Sequence, residues 1–121
     1  MKNNRTTVVD FIARGDIPEE WKMVLVEEGP WSDSIESQLR RIQDRLYGCI
    51  DAAIDGQLAE LYPDSTHKII VIQLDCYDLP RNEVTEFFDR FSNGVFLADG
   101  YRQSIKDNAF VKGIKLEINF N

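Results

Sequence analysis

The chain has 121 residues, 43% of them hydrophobic, with 21 acidic against 14 basic side chains and a formal net charge of −7. That length fits one domain, residues 1 to 121, whose folding buries roughly two thirds of the unfolded surface. The negative balance speaks against nucleic acid, whose phosphates it repels, and favours a basic partner or none.

Thr6 to Ala13 and Trp21 to Val26 are rich in β-formers and are separated by the turn formers Gly15-Asp16-Ile17-Pro18, a pattern that predicts a β-hairpin with a loop longer than two residues. After Gly29-Pro30-Trp31 the period changes. Ile35, Leu39, Ile42, Leu46, Cys49, Ile50, Ala53 and Ile54 recur at three and four, which predicts a long amphipathic helix. Ser32, Asp33 or Ser34 can cap it, and Glu36 with Arg40 and Asp44 with Arg41 stand at pairing distance on its outer face. Gly56 interrupts or ends this helix, with Leu58 and Leu61 continuing its apolar face toward Pro63.

Lys68 to Tyr77, rich in isoleucine and valine, predicts a central strand covered on both faces. Leu79-Pro80 stops it. Asn82 is the expected cap of a second helix with the stripe Val84, Phe87, Phe88 and Phe91, closed by Asn93-Gly94. Residues 95 to 112 stay open between a short strand at Val95-Phe96-Leu97, a helical turn and a loop. Ile114, Leu116, Ile118 and Phe120 then alternate with Lys115, Glu117 and Asn119 as in a half-buried strand. The order β-β-α-β-α-β predicts an α+β fold, a two-layer sandwich of about four strands with two main helices on one face.

Cys49 and Cys76 lack C-x-x-C spacing and cannot build a secreted disulfide framework. Val8 to Ala13 is cut by Asp10 and too short for a signal segment, and Ile69 to Ile72 is too short to span a bilayer. The expectation is a reduced, cytoplasmic protein with no membrane contact.

No pattern of residues points to catalysis. His67, the single histidine, reads as a solvated loop residue without a second imidazole or a positioned nucleophile. Asp51, Asp55 and Gly56 match positions one, five and six of a calcium loop, but Ala53 and Tyr62 occupy two positions that need ligands. Asp75 and Asp78 flank the end of the central strand, where α/β enzymes hold acids or Mg²⁺, yet a chain this acidic produces such pairs by chance. No catalytic residue, cofactor or metal is therefore assigned. Trp31 beside Glu27-Glu28 is the best binding anchor, its alternative role being to pack back on Ile35.

The run Val9-Asp10-Phe11-Ile12, the Val24-Leu25-Val26 strand, Trp31 before a long helix, Gly56-x-Leu58, and Tyr62-Pro63-Asp64 leading into a strand resemble a small bacterial family of unknown function. The resemblance covers about residues 8 to 75 and implies a bacterial, single-domain α+β protein. It carries no activity.

The acid is concentrated: residues 51 to 99 hold ten acids against Lys68, Arg81 and Arg90. The function that fits is a non-catalytic binding module, most concretely an immunity or antitoxin-like inhibitor covering the basic cleft of a toxin such as a nuclease. Glu27, Glu28, Trp31, Asp78, Glu83 and Glu86 are its expected partner-binding residues, on loops and helix faces that the sheet need not bury. The alternatives are a subunit that forms a homodimer through the edge strand Ile114 to Phe120, and a metal-assisted enzyme using Asp75, Asp78 and His67.

Overall fold

In the computed structural model, which describes residues 9–97 and 99–121, the elements run β1 (Phe11–Arg14), β2 (Glu20–Glu28), α1 (Ile35–Ile54), α2 (Gln57–Leu61), β3 (Lys68–Tyr77), α3 (Arg81–Val95), α4 (Asp99–Ile105) and β4 (Val111–Phe120), with a 3-10 turn over Pro63–Ser65. One open sheet takes the order β1-β2-β3-β4. The hairpin pair β1 and β2 is antiparallel, whereas β2, β3 and β4 are parallel. Thr6 to Val8, expected in the first strand, lie outside the described residues.

The two parallel crossovers run in the same direction across the sheet, and a common right-handed sense sets both connecting helices on one face. The packing agrees. Met23 and Leu25 of β2 and Ile70, Ile72 and Leu74 of β3 share one core with Ile42, Leu46 and Ile50 of α1 and Val84, Phe88 and Phe91 of α3. The α+β sandwich expected from the pattern is the observed fold, and β3 is an interior strand with Ile70, Val71 and Ile72 fully buried. Val71 is buried on the face away from the helices, where Lys22 and Lys115 flank it in the register and can lay their aliphatic stems beside it.

Local signals account for most boundaries. The Ser34 hydroxyl accepts from the Ser37 N–H at 3.1 Å and caps α1. At the other end Gly56 takes φ +87°, a left-handed conformation that only glycine adopts cheaply.

Four expectations are corrected. Asn82 does not cap α3: the cap is Pro80, two residues earlier, whose φ of −68° already suits a helix start, and the helix begins at Arg81. Asn93-Gly94 does not close it either, since the helix runs on to Val95, which is buried, and the apolar stripe continues one more turn. Val95-Phe96-Leu97 is consequently no strand. Nor does Arg41 pair with Asp44; the guanidinium turns to Glu27, a buried carboxylate in a medium where charge attraction exceeds that at the surface. Glu36 and Arg40 do pair, at 3.3 Å on the exposed side.

Gly56 also lies against Phe110, whose ring carbon Cζ would stand 2.7 Å from an added Cβ. Gly56→Ala is therefore expected to lower unfolding stability by about 1–2 kcal/mol through left-handed strain and displacement of that ring. Urea denaturation of the variant beside the parent checks this.

Candidate functional site

The fold places β2 and β3 side by side and parallel, so the loops leaving their C-terminal ends meet. The Gly29 N–H donates to the Tyr77 carbonyl at 2.7 Å, closing the strand pair at that end. A side chain at Gly29 would collide with the Asp78 carbonyl oxygen, so the two loops touch through backbone. Because the strand order never reverses, the sheet itself opens no crevice, and any recess here is built from loops.

Such a recess exists. Pro30, Trp31 and Ile35 from the first loop and the start of α1 face Asp78, Leu79 and Pro80 from the second, around a cleft of about 350 Å³. Trp31 is only partly exposed and packs against the core, and its indole N–H is buried without a hydrogen-bond acceptor among the described residues. Ile35 and Tyr77 are exposed nearby. Glu28, at the end of β2, is exposed, as are Asp78 and Glu83, the latter in the first turn of α3. Asp33 and Glu36 stand at the start of α1. The recess is lined by Trp31 and apolar side chains with Asp78 as its carboxylate, the other acids stand on the elements that enter and leave it, and Arg81 beside Pro80 lies over the Phe120 ring at 5.0 Å.

Of the six expected binding residues the structure brings Glu28, Trp31, Asp78 and Glu83 to this end of the sheet. Glu86 lies one turn further along α3 and pairs with Arg90 at 2.8 Å. Glu27 is the correction: it is only 3% exposed and forms no part of a surface. Trp21, Met23, Leu25 and Glu27 share one side of β2 by alternation, and that side faces the helices. Its carboxylate is bound by Arg41 and by Arg45, whose Nη1 lies 2.6 Å away. Arg45 also donates to the Val26 carbonyl at 3.2 Å and to Asp10 at 3.0 Å, and Asp10 accepts the Val26 N–H at 2.7 Å. The signal for this network lay in the core-facing phase of Glu27 and in Arg41 and Arg45 one helical turn apart.

A second feature escaped sequence reading. Tyr47 of α1 stacks on Tyr101 of α4, ring centroids 6.0 Å apart, and meets Phe91 of α3 edge-on at 5.1 Å. These rings line a cleft of about 400 Å³ with Gln43, Phe87 and Arg90, and the Tyr101 hydroxyl donates to Asp51 at 2.7 Å. The segment from 95 to 112 gave no periodicity from which to foresee α4.

The remaining candidates do not converge. Asp75 lies on the sheet face away from the helices and accepts from Gln73 at 2.9 Å and Asn119 at 3.2 Å. His67 is exposed with φ +63°, and its backbone N–H donates to Phe110. Among the described residues no three His, Cys, Asp or Glu side chains gather closely enough to hold a metal ion, and no helix is long and apolar enough to cross a membrane. Cys49 and Cys76 are buried and free, and burial pushes both thiols up to about 12.

Three outcomes follow from these environments. Glu27→Ala leaves two guanidinium groups facing an uncharged, desolvated gap and should cost about 3–5 kcal/mol, against almost nothing for Glu28→Ala, as measured by chemical denaturation. Both thiols should stay unreactive toward a disulfide reagent at pH 8 and react only on unfolding. Burial acts to raise the Asp10 carboxyl, but the Val26 N–H and Arg45 outweigh it and hold it below the ordinary 3.8. Its stabilisation is thus present above the unfolded carboxyl range and lost as pH falls through the lower folded value, and Asp10→Asn should flatten that part of an acid-unfolding curve.

Compared with known proteins, the chain matches no curated protein and no solved structure. A family model, described as a family of unknown function (DUF6572), matches residues 1–107, well beyond the stretch whose motifs suggested such a family, with β4 outside the match. The chain therefore belongs to this family of unknown function.

Proposed function

We propose that the protein is a non-catalytic binding module that docks a basic protein partner at the loop end of β2 and β3. The most concrete form of that role is an immunity-type inhibitor seated on the basic cleft of a toxin such as a nuclease. The observation that carries this reading is the cleft around Trp31, largely apolar and lined by Asp78, with exposed Glu28 at the end of the strand that leads into it and exposed Glu83 in the first turn of the helix that follows it.

Such a layout divides the work of binding. A large aromatic anchor in a recess supplies most of the affinity when it is fully desolvated by a partner. A rim of like charge adds encounter rate and discrimination, attracting a basic cleft built for phosphates and repelling acidic competitors. The acids of the rim stand on loops and a helix start that rest on a rigid parallel strand pair, so docking needs little rearrangement.

The experiment is affinity capture from the host's own lysate with the parent chain and with the triple variant Glu28→Lys, Asp78→Lys, Glu83→Lys, followed by association kinetics at two salt concentrations. The parent should retain a basic protein in stoichiometric amount, with an association rate that falls steeply as salt rises. Charge reversal should slow association by about tenfold or more at low salt, and Trp31→Ala should mainly speed dissociation. Identical recovery by parent and triple variant would exclude the acidic rim as the binding surface.

A further inference from the structure

At the opposite side of the sheet from the hairpin, β4 is an edge strand of ten residues, paired with β3 on one side and, among the described residues, with nothing on the other. Its irregularity against β3 is confined to the start, near Lys68 and Ile69, so the stretch from Ile114 to Phe120 is a regular edge of the kind that invites another strand.

The direction of its free backbone groups follows from one hydrogen bond. The Asn121 N–H donates to the Cys76 carbonyl at 2.9 Å, so Asn121 faces β3. Strand backbone groups alternate sides, which turns Asn119, Glu117 and Lys115 toward β3 as well and leaves Phe120, Ile118, Leu116 and Ile114 presenting their N–H and C=O groups outward. The side chains of these outward-bonding residues pack on the helix side of the sheet and are only partly covered. Beside them Ser92 of α3 and Phe96 just after it, with Ile114 to Glu117, line a recess of about 340 Å³.

We propose that β4 pairs antiparallel with β4 of a second copy of this chain, about a two-fold axis at Leu116, to give a continuous eight-stranded sheet. This register sets Leu116 against Leu116 and Ile114 against Ile118 as hydrogen-bonded pairs on the helix side. On the other face it sets Lys115 against Glu117, twice, in the closer non-hydrogen-bonded pairs where opposite charges attract most. Centring the axis on Lys115 or on Glu117 instead would place like charges in those closest pairs. Shifting it by a half step would oppose a charged residue to an apolar one, since faces must match. The strand is thus self-complementary in hydrogen bonding, apolar contact and charge at one register, which is what an isologous interface requires. In the single chain Lys115 reaches across β3 to Glu20 at 3.0 Å, and pairing with the second copy's Glu117 turns its flexible side chain from Glu20 toward the free edge. This interface is independent of the acidic rim, so the two readings stand or fall separately.

The test is sedimentation velocity of the full chain from low to high micromolar concentration, with Glu117→Lys, Lys115→Glu and the double exchange K115E/E117K beside the parent. Circular dichroism melts establish that each variant is folded. The parent should dimerise, Glu117→Lys should weaken the dimer at least about tenfold by facing lysine with lysine twice, and the double exchange should restore it. Amide exchange gives the register: the Ile114, Leu116 and Ile118 amides should be protected in the dimer and lose that protection in Glu117→Lys, while Lys115 and Glu117 stay protected by β3 in both. A parent that remains monomeric throughout, or a dimer that Glu117→Lys leaves intact, overturns the proposal.

Discussion

The buried carboxylate of Glu27 organises this fold more than any apolar contact does. It lies at the last core-facing position of β2 and is held by Arg41 and Arg45 of α1, while Arg45 reaches on to Asp10 and to the Val26 carbonyl. A pair of this kind contributes little net stability compared with an apolar pair of the same volume, because desolvation offsets most of the attraction. Its consequence is geometric. Apolar contacts between Leu46, Ile50 and the sheet tolerate sliding and rotation of the helix, whereas a carboxylate with two fixed donors one turn apart admits one rotation and one axial position of α1.

That placement propagates to the cleft. With α1 held through Arg41 and Arg45 and β2 ending at Glu28, a short segment from Gly29 to Ser34 joins them, and Trp31 comes to rest facing the loop that leaves β3. The Gly29 to Tyr77 hydrogen bond fastens the same junction from the sheet side. The site is therefore a by-product of how two parallel strands end together, and its carboxylates need no tertiary pairing to stay in place. They remain available because the helices and strands that carry them are held elsewhere, by Glu27 and by the core.

The two proposed surfaces use different physics and occupy different places. At the loop end, exposed acids outnumber Arg81 near an apolar recess, an arrangement that suits a partner of opposite sign. At β4, charges of both signs alternate with apolar residues along a free edge, an arrangement that suits the same strand reversed. The cleft stands at the loop end of β2 and β3, whereas the proposed dimer axis at Leu116 lies midway along the outer edge of β4.

Much of the architecture was legible in the order of residues, since periodicity is local: the long helix from Ile35, the β3 run and the alternation from Ile114 follow from which side of each element must leave water. The acidic excess and the prominence of Trp31 beside it were legible too, being properties of composition and position. Other features depended on which elements become neighbours. Only the tertiary structure turned Glu27 inward, because its burial requires two arginines from a helix that follows it in sequence and returns across it in space. Only the packing of α3 and α4 on α1 gathered Tyr47, Phe91 and Tyr101, residues that share no local pattern. The strand order decided the edge as well: alternation shows that β4 has two faces, but which of its hydrogen-bonding sides stays open is fixed by pairing with β3, a contact between segments far apart in the chain.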